Sequence, residues 1–178
     1  MVSYLITENI VLQKRGHQMD MTRKKVTKIV ILGSADSGKT TVIETLLNRR
    51  EEKVTKIECN GTTVSLDYGN TIINGEKVHI FGTPGQERFK FMREILTTNL
   101  SGAIVVVDNS VGVTDMDIKI LEALNGGNIP YVVFVNKQDI APGDLGSEYI
   151  KPHIPLIPTT ATTGEGIQEG LEVLLKLI

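Results

Sequence analysis

The chain has 178 residues, 40% of them apolar and 22% charged, which suits one globular domain with its own core and leaves little room for long disorder. A net charge of -2 at pH 7 gives no reason to expect nucleic acid or an anionic membrane as partner, and the single Cys59 excludes an intrachain disulfide and suits a reducing cytosol. No apolar run approaches the roughly 20 residues of a membrane span, and neither Val2 nor the final LKLI carries a lipidation signal, so a cytoplasmic protein with no direct membrane anchor is expected.

Residues 1–24 are read as an N-terminal extension. SYLITENIVL fits a short strand or an amphipathic helix, KRGHQMDMTRKK is polar and basic, and Met19 or Met21 offers an alternative start. The domain itself is placed at residues 25–178. A first strand, KVTKIVIL at 25–32, runs through a loop into a helix over about 39–50, where Val42, Ile43, Leu46 and Leu47 recur at helical spacing. Residues 51–61 carry no clear period. Strands at 63–73 and 77–81 are joined at Asn74 and Gly75, a strong hairpin signal, so these two are antiparallel. A two-residue turn there makes Ile73 face Glu76, and counting back puts Asp67 opposite Gly82. Further strands are expected at 102–108, at 131–136 and near IPLIPT, with helices over about 114–124 and 166–178. Six strands alternating with amphipathic stretches describe an α/β domain with a mostly parallel sheet.

Gly33, Ser34, Ala35, Asp36, Ser37, Gly38, Lys39 and Thr40 spell GSADSGKT, a full match to G-x-x-x-x-G-K-[ST] placed after a strand and before a helix. Glycines let such a backbone wrap phosphates with its amides pointing inward, and the helix N-terminus favours anions. Lys39 would reach the terminal phosphates, the Thr40 hydroxyl would be a direct magnesium ligand, and Thr41 is counted with the nucleotide contacts. Asp36, an acid in an anion site, is expected to point outward.

The loop alone does not choose between ATP and GTP. Asn136, Lys137, Gln138 and Asp139 read NKQD at a strand end, and with them the chain resembles the Ras-like small GTPases. In that family N-K-x-D selects guanine, which implies that Asp139 accepts hydrogen bonds from the base, Asn136 braces the loop and Lys137 lays its stem along base or ribose. TTATTGEG at 159–166 resembles the family's last guanine loop, in which the Ala161 amide would meet the base oxygen; Thr160 and Thr162 replace the usual serine and lysine. The resemblance implies a P-loop NTPase three-layer sandwich with a six-stranded sheet, one antiparallel edge strand, helices on both faces, and nucleotide at the C-terminal strand ends.

The resemblance also places the switches. Thr63, with Thr62 as a close competitor, aligns with the threonine whose hydroxyl joins magnesium. In FGTPGQERF, Gly85 would give its amide to the γ-phosphate and Gln86 would orient the attacking water, roles that with Lys39 make up the catalytic set. Gly82 departs from the pattern, because the family's aspartate there contacts a magnesium-bound water. Asp67, opposite it by the hairpin count, could lean across as a substitute beyond the first ligand sphere, or be a solvated acid on an edge strand. The mixed motifs look most like the prokaryotic Ras-, Arf- and Rab-like members. The implied function is a magnesium-dependent GTP/GDP switch that hydrolyses GTP slowly, acting as a monomer with an effector and an activating protein as partners. Two alternatives stand beside it: a nucleotide-dependent binding module with negligible hydrolysis, and a P-loop ATPase or kinase, which NKQD disfavours.

Overall fold

The structure, a computed structural model, describes residues 26–47, 53–59, 62–73, 76–82, 100–146 and 148–178, with the backbone alone for 53–59, 62–68 and 76. The extension at 1–24, the turn at Asn74 and Gly75, and the switch residues Gly85 and Gln86 lie outside the described residues. In chain order the elements are β1 (Thr27–Leu32), α1 (Lys39–Leu46), β2 (Lys53–Cys59), β3 (Thr62–Ile73), β4 (Glu76–Gly82), β5 (Gly102–Asp108), α2 (Asp115–Gly126), β6 (Tyr131–Asn136), β7 (Leu156–Pro158) and α3 (Ile167–Leu177).

Among the described residues one sheet holds all seven strands, in the order β2-β3-β4-β1-β5-β6-β7. The α/β class is as expected, and all six expected strands are present. The count is corrected by a seventh, β2, which pairs antiparallel with β3 in the stretch that had shown no period. Its sequence KVTKIEC mixes β-branched residues with charges and never settles into strict alternation, so no period-2 signal could mark it. As a result β3, the one strand running against the others, is interior to the sheet rather than its edge. The hairpin register is the one the turn dictated: Ile73 pairs with Glu76 and Tyr68 with Phe81. That register stops one residue short of Asp67, while Gly82 is paired on its other side with Ile31 of β1.

The central strands β1, β5 and β6 are apolar along almost their whole length because both faces are covered, as parallel strands require. Alternate residues go to two cores. Ile29 and Ile31 join Val42, Ile43 and Leu46 of α1 and Leu171 and Leu174 of α3 on one face. Val30 and Leu32 join Ile120, Leu121 and Leu124 of α2 on the other. Each fully buried aliphatic or Phe side chain contributes about 1.5–3 kcal/mol by leaving water. The α3 helix can lie close to β6 because residue 170 is glycine: a Cβ there would overlap the ring of Phe134. α2 starts on a capping box in which Thr114 and Asp117 satisfy each other's backbone amides. No helix among the described residues is long and apolar enough to cross a membrane.

Candidate nucleotide site

The phosphate loop leaves the C-terminal end of β1, at the point where the strand order turns from β4 to β5, the crevice where open parallel sheets take ligands. Two glycines allow its path. Gly33 has φ 145, and a Cβ on it would overlap the carbonyl oxygen of Val106 in β5. Gly38, with φ 97, is the N-cap of α1, and a Cβ there would overlap the Asn136 side-chain amide. No side chain caps α1 at Gly38 and no acid stands in its first turn. That suits an anion. Asp36 adopts φ 58 and is exposed, as expected for an acid turned away from the loop's inner side. Lys39 bends over its own loop, with Nζ donating to the Ser34 carbonyl and lying 3.5 Å from Ser37 Oγ.

Asn136 ties three sequence motifs together. It is 2% exposed at the end of β6. Its Nδ2 donates to the Ser37 carbonyl at 2.8 Å, and its Oδ1 accepts from the Ala161 amide at 3.0 Å and, more weakly, from Thr159 Oγ1 at 3.4 Å. The expected bracing of the loop by Asn136 is therefore a direct contact. The Ala161 amide, expected to meet a base oxygen, is here given to Asn136. Thr45 of α1 adds a second tie by donating to the Ala161 carbonyl at 3.0 Å. Thr160 is buried and Thr162 exposed on a loop closed by the Thr160–Glu165 bridge.

Lys137, with φ 67, carries Asn136's neighbour chemistry outward. Its Nζ pairs with Asp108 Oδ2 at 2.6 Å, with the Asp108 side chain 9% exposed. Burial pushes the Asp108 carboxyl up, but hydrogen bonds from Lys137 and Ser110 and the Lys137 charge outweigh it and hold the group below the usual carboxylate range. Asp139, two residues farther on, is exposed. Asp108 and Thr45 were not among the expected site residues. Asp108 had a signal, since it ends the strand beside β6 and is paired in register with Asn136.

A divalent cation fits what is present only in part. The Thr40 hydroxyl is a hard oxygen donor, exposed beside amides suited to phosphate. Gly82 offers no carboxylate at the end of β4, and the side chains of Thr63 and Asp67 are not described.

A phosphate loop at the switch point of a parallel sheet, braced by an asparagine from the strand two places away, is the arrangement of a P-loop G domain. The chain belongs to the family of the elongation factor Tu GTP binding domain, which it matches over residues 24–178, and binding of GTP is the property of that family. This agrees with the superfamily that the sequence motifs had implied.

Among its relatives, the uncharacterized protein MJ1339 of Methanocaldococcus jannaschii is 42% identical over 127 residues, which span 71% of this chain and 80% of that one. Translation initiation factor IF-2 of Clostridium novyi is 27% identical over 171 residues, with 86% of this chain aligned to only 24% of that protein. The G domain of the T. maritima FeoB iron transporter superposes with a TM-score of 0.67 at 21% identity, covering 85% of this chain and 98% of that domain, a likeness of fold.

Proposed function

We propose that the chain is a guanine-nucleotide switch that hydrolyses GTP slowly to GDP and phosphate and so controls a partner protein in the cytoplasm. The observation that supports this best is the Asn136 node: one buried side chain bonded both to the phosphate loop and to the loop at Ala161. Binding of the two ends of a nucleotide is thereby made interdependent. One relative with a described activity is a translation initiation factor. This chain spans about a quarter of that initiation factor, so the nucleotide-dependent step is what we carry over, not the larger protein's task.

In this reading the amides of residues 35–41 and Lys39 hold the phosphates, Asn136, Lys137, Asp139 and the loop of Thr160, Ala161 and Thr162 hold the guanosine end, and Asp139 accepts from the base. Thr40 and Thr63 are the hydroxyls that would hold magnesium, with Asp67 as a further acceptor; when bound, the ion offsets phosphate charge. Gly85 donates its amide to the γ-phosphate and Gln86 orients the water, a division that needs positioning and charge stabilisation rather than covalent help. Turnover without an activating protein is on the order of 10⁻⁴ to 10⁻² per second. Ordering of the segments around Thr63 and Gly85 by GTP, and their release on hydrolysis, would change the surface an effector meets.

Single-turnover GTP hydrolysis, with and without magnesium and with excess ATP as competitor, tests this. Magnesium-dependent phosphate release that ATP does not block, and that Gln86→Leu slows by at least about tenfold, is the expected result. Tight GTP binding with no release, alone or with cell extract, would leave a nucleotide-dependent binding module, the reading that Gly82 favours. Displacement of GTP by ATP would refute guanine selection.

A further inference from the structure

We infer that Asp117, a residue outside every nucleotide motif of the chain, is a positioning residue of the phosphate loop; the inference rests on the nucleotide binding proposed above. Asp117 sits in the first turn of α2 and is 0% exposed. One of its oxygens is fully explained by helix capping: Oδ2 accepts from the Thr114 amide at 3.0 Å and from Thr114 Oγ1 at 2.7 Å. The other is not. Oδ1 accepts from the amide of Ser34, 83 positions earlier in the chain, at 2.8 Å.

This contact acts on the loop in two ways. It withdraws the Ser34 amide from the donors that a phosphate could use, so the loop's anion-facing set begins after it. It also fixes the loop where it leaves β1, immediately after the close approach of Gly33 to Val106, while Asn136 fixes Ser37 near the other end. The loop is clamped at its start from α2 and near its end from β6. Bringing several amide dipoles to point at one place is unfavourable, and ordering them at the moment of binding would cost affinity. Asp117 has the loop ordered in advance.

Capping and positioning separate by mutation. Thr114→Ala removes the hydroxyl's contacts with Oδ2 and with the Asp117 amide, keeps the Thr114 amide on Oδ2, and leaves the contact to Ser34. Asp117→Ala removes the contacts of both oxygens. Asp117→Asn keeps a carbonyl oxygen for Ser34 but sets its NH₂ group against the Thr114 amide. The test is the dissociation rate of fluorescent GDP from the full chain in magnesium, measured well below each variant's own unfolding midpoint. Wild type and Thr114→Ala should release GDP at nearly the same rate, although Thr114→Ala unfolds earlier. Asp117→Ala should release it about tenfold faster, the loss of one hydrogen bond to a charged group, and Asp117→Asn about threefold faster. If Asp117→Ala releases GDP no faster than Thr114→Ala, Asp117 is only a cap and the inference is overturned. Should Asp117→Ala not fold, the same comparison is made with Asp117→Asn. A wild-type chain that binds no GDP overturns the nucleotide reading itself, and the inference with it.

Discussion

Replacing Asn136 by alanine should cost the folded domain about 3 kcal/mol. Asn136 is 2% exposed, and its loss leaves the Ser37 carbonyl and the Ala161 amide without the partners they have at 2.8 and 3.0 Å. An unsatisfied buried polar group costs about 1–3 kcal/mol, and the space left by the side chain lets a water recover part of the two penalties, which gives the figure above. At about 2–4 °C per kcal/mol for a domain of this size, the unfolding midpoint should fall by about 6–12 °C in a calorimetric scan. Gln138→Ala is the control, because its two bonds with Gly143 are exposed and the one to Val135 is only part-buried; it should cost less than about 1 kcal/mol. Repeating the scans with saturating GDP adds a second reading. A ligand stabilises by an amount that grows with its affinity, and the variant, with its phosphate loop unbraced at Ser37, should gain less than wild type. An Asn136→Ala protein that melts within about 2 °C of wild type and gains as much from GDP would refute the view of this side chain as the node of the site.

Two further substitutions probe the supports on either side of that node. Gly33→Ala puts a Cβ into the Val106 carbonyl at a φ of 145, so β1 and β5 must separate; loss of more than about 3 kcal/mol, or failure to fold, is expected in urea titrations, and a variant within about 1 kcal/mol of wild type would contradict the close approach. The Asp108–Lys137 pair should leave a signature in acid. The folded carboxyl titrates below its ordinary value of 3.8, so its contribution is present in full above that value and is lost as pH falls through the lower, folded one. The advantage of wild type over Asp108→Asn, about 1–2 kcal/mol at neutral pH, should therefore be flat from about pH 7 to pH 5 and shrink towards pH 3. An advantage independent of pH would show that the charge of Asp108 contributes nothing.

What could be read in the sequence was set by how locally each feature is encoded. β1, β5 and β6 announce themselves because a strand buried on both faces must be apolar throughout, and the hairpin register followed from Asn74 and Gly75 alone. The phosphate loop was legible for the same reason: its glycines, lysine and threonine are contiguous. β2 was missed because KVTKIEC owes its strand state to pairing with β3 rather than to any alternation of its own. Reading β3 as an edge was the direct consequence. The supports of the site were harder still. Asp117 closes the cap of α2 with Thr114, but nothing near it in sequence says that its second oxygen reaches Ser34, because that distance is closed only when α2 folds onto the sheet. Asp108 likewise acquires its meaning from Lys137, on the next strand.

The place of β1 in the sheet bears on how the chain assembles. Everything on one side of it, β4, β3 and β2, comes from residues 53–82, and everything on the other, β5, β6 and β7, from residues 102–158. Each side can pair with itself over short stretches of chain, but β1 finds its partners only across long ones, Thr27 with Val78 and Ile29 with Gly102. Closing such loops is entropically slow, so the strand that carries the phosphate loop is expected to be secured after its flanks have formed. During synthesis the first segment of the domain to emerge would then be among the last to lock, and capture of a nucleotide would report that the whole sheet is in place.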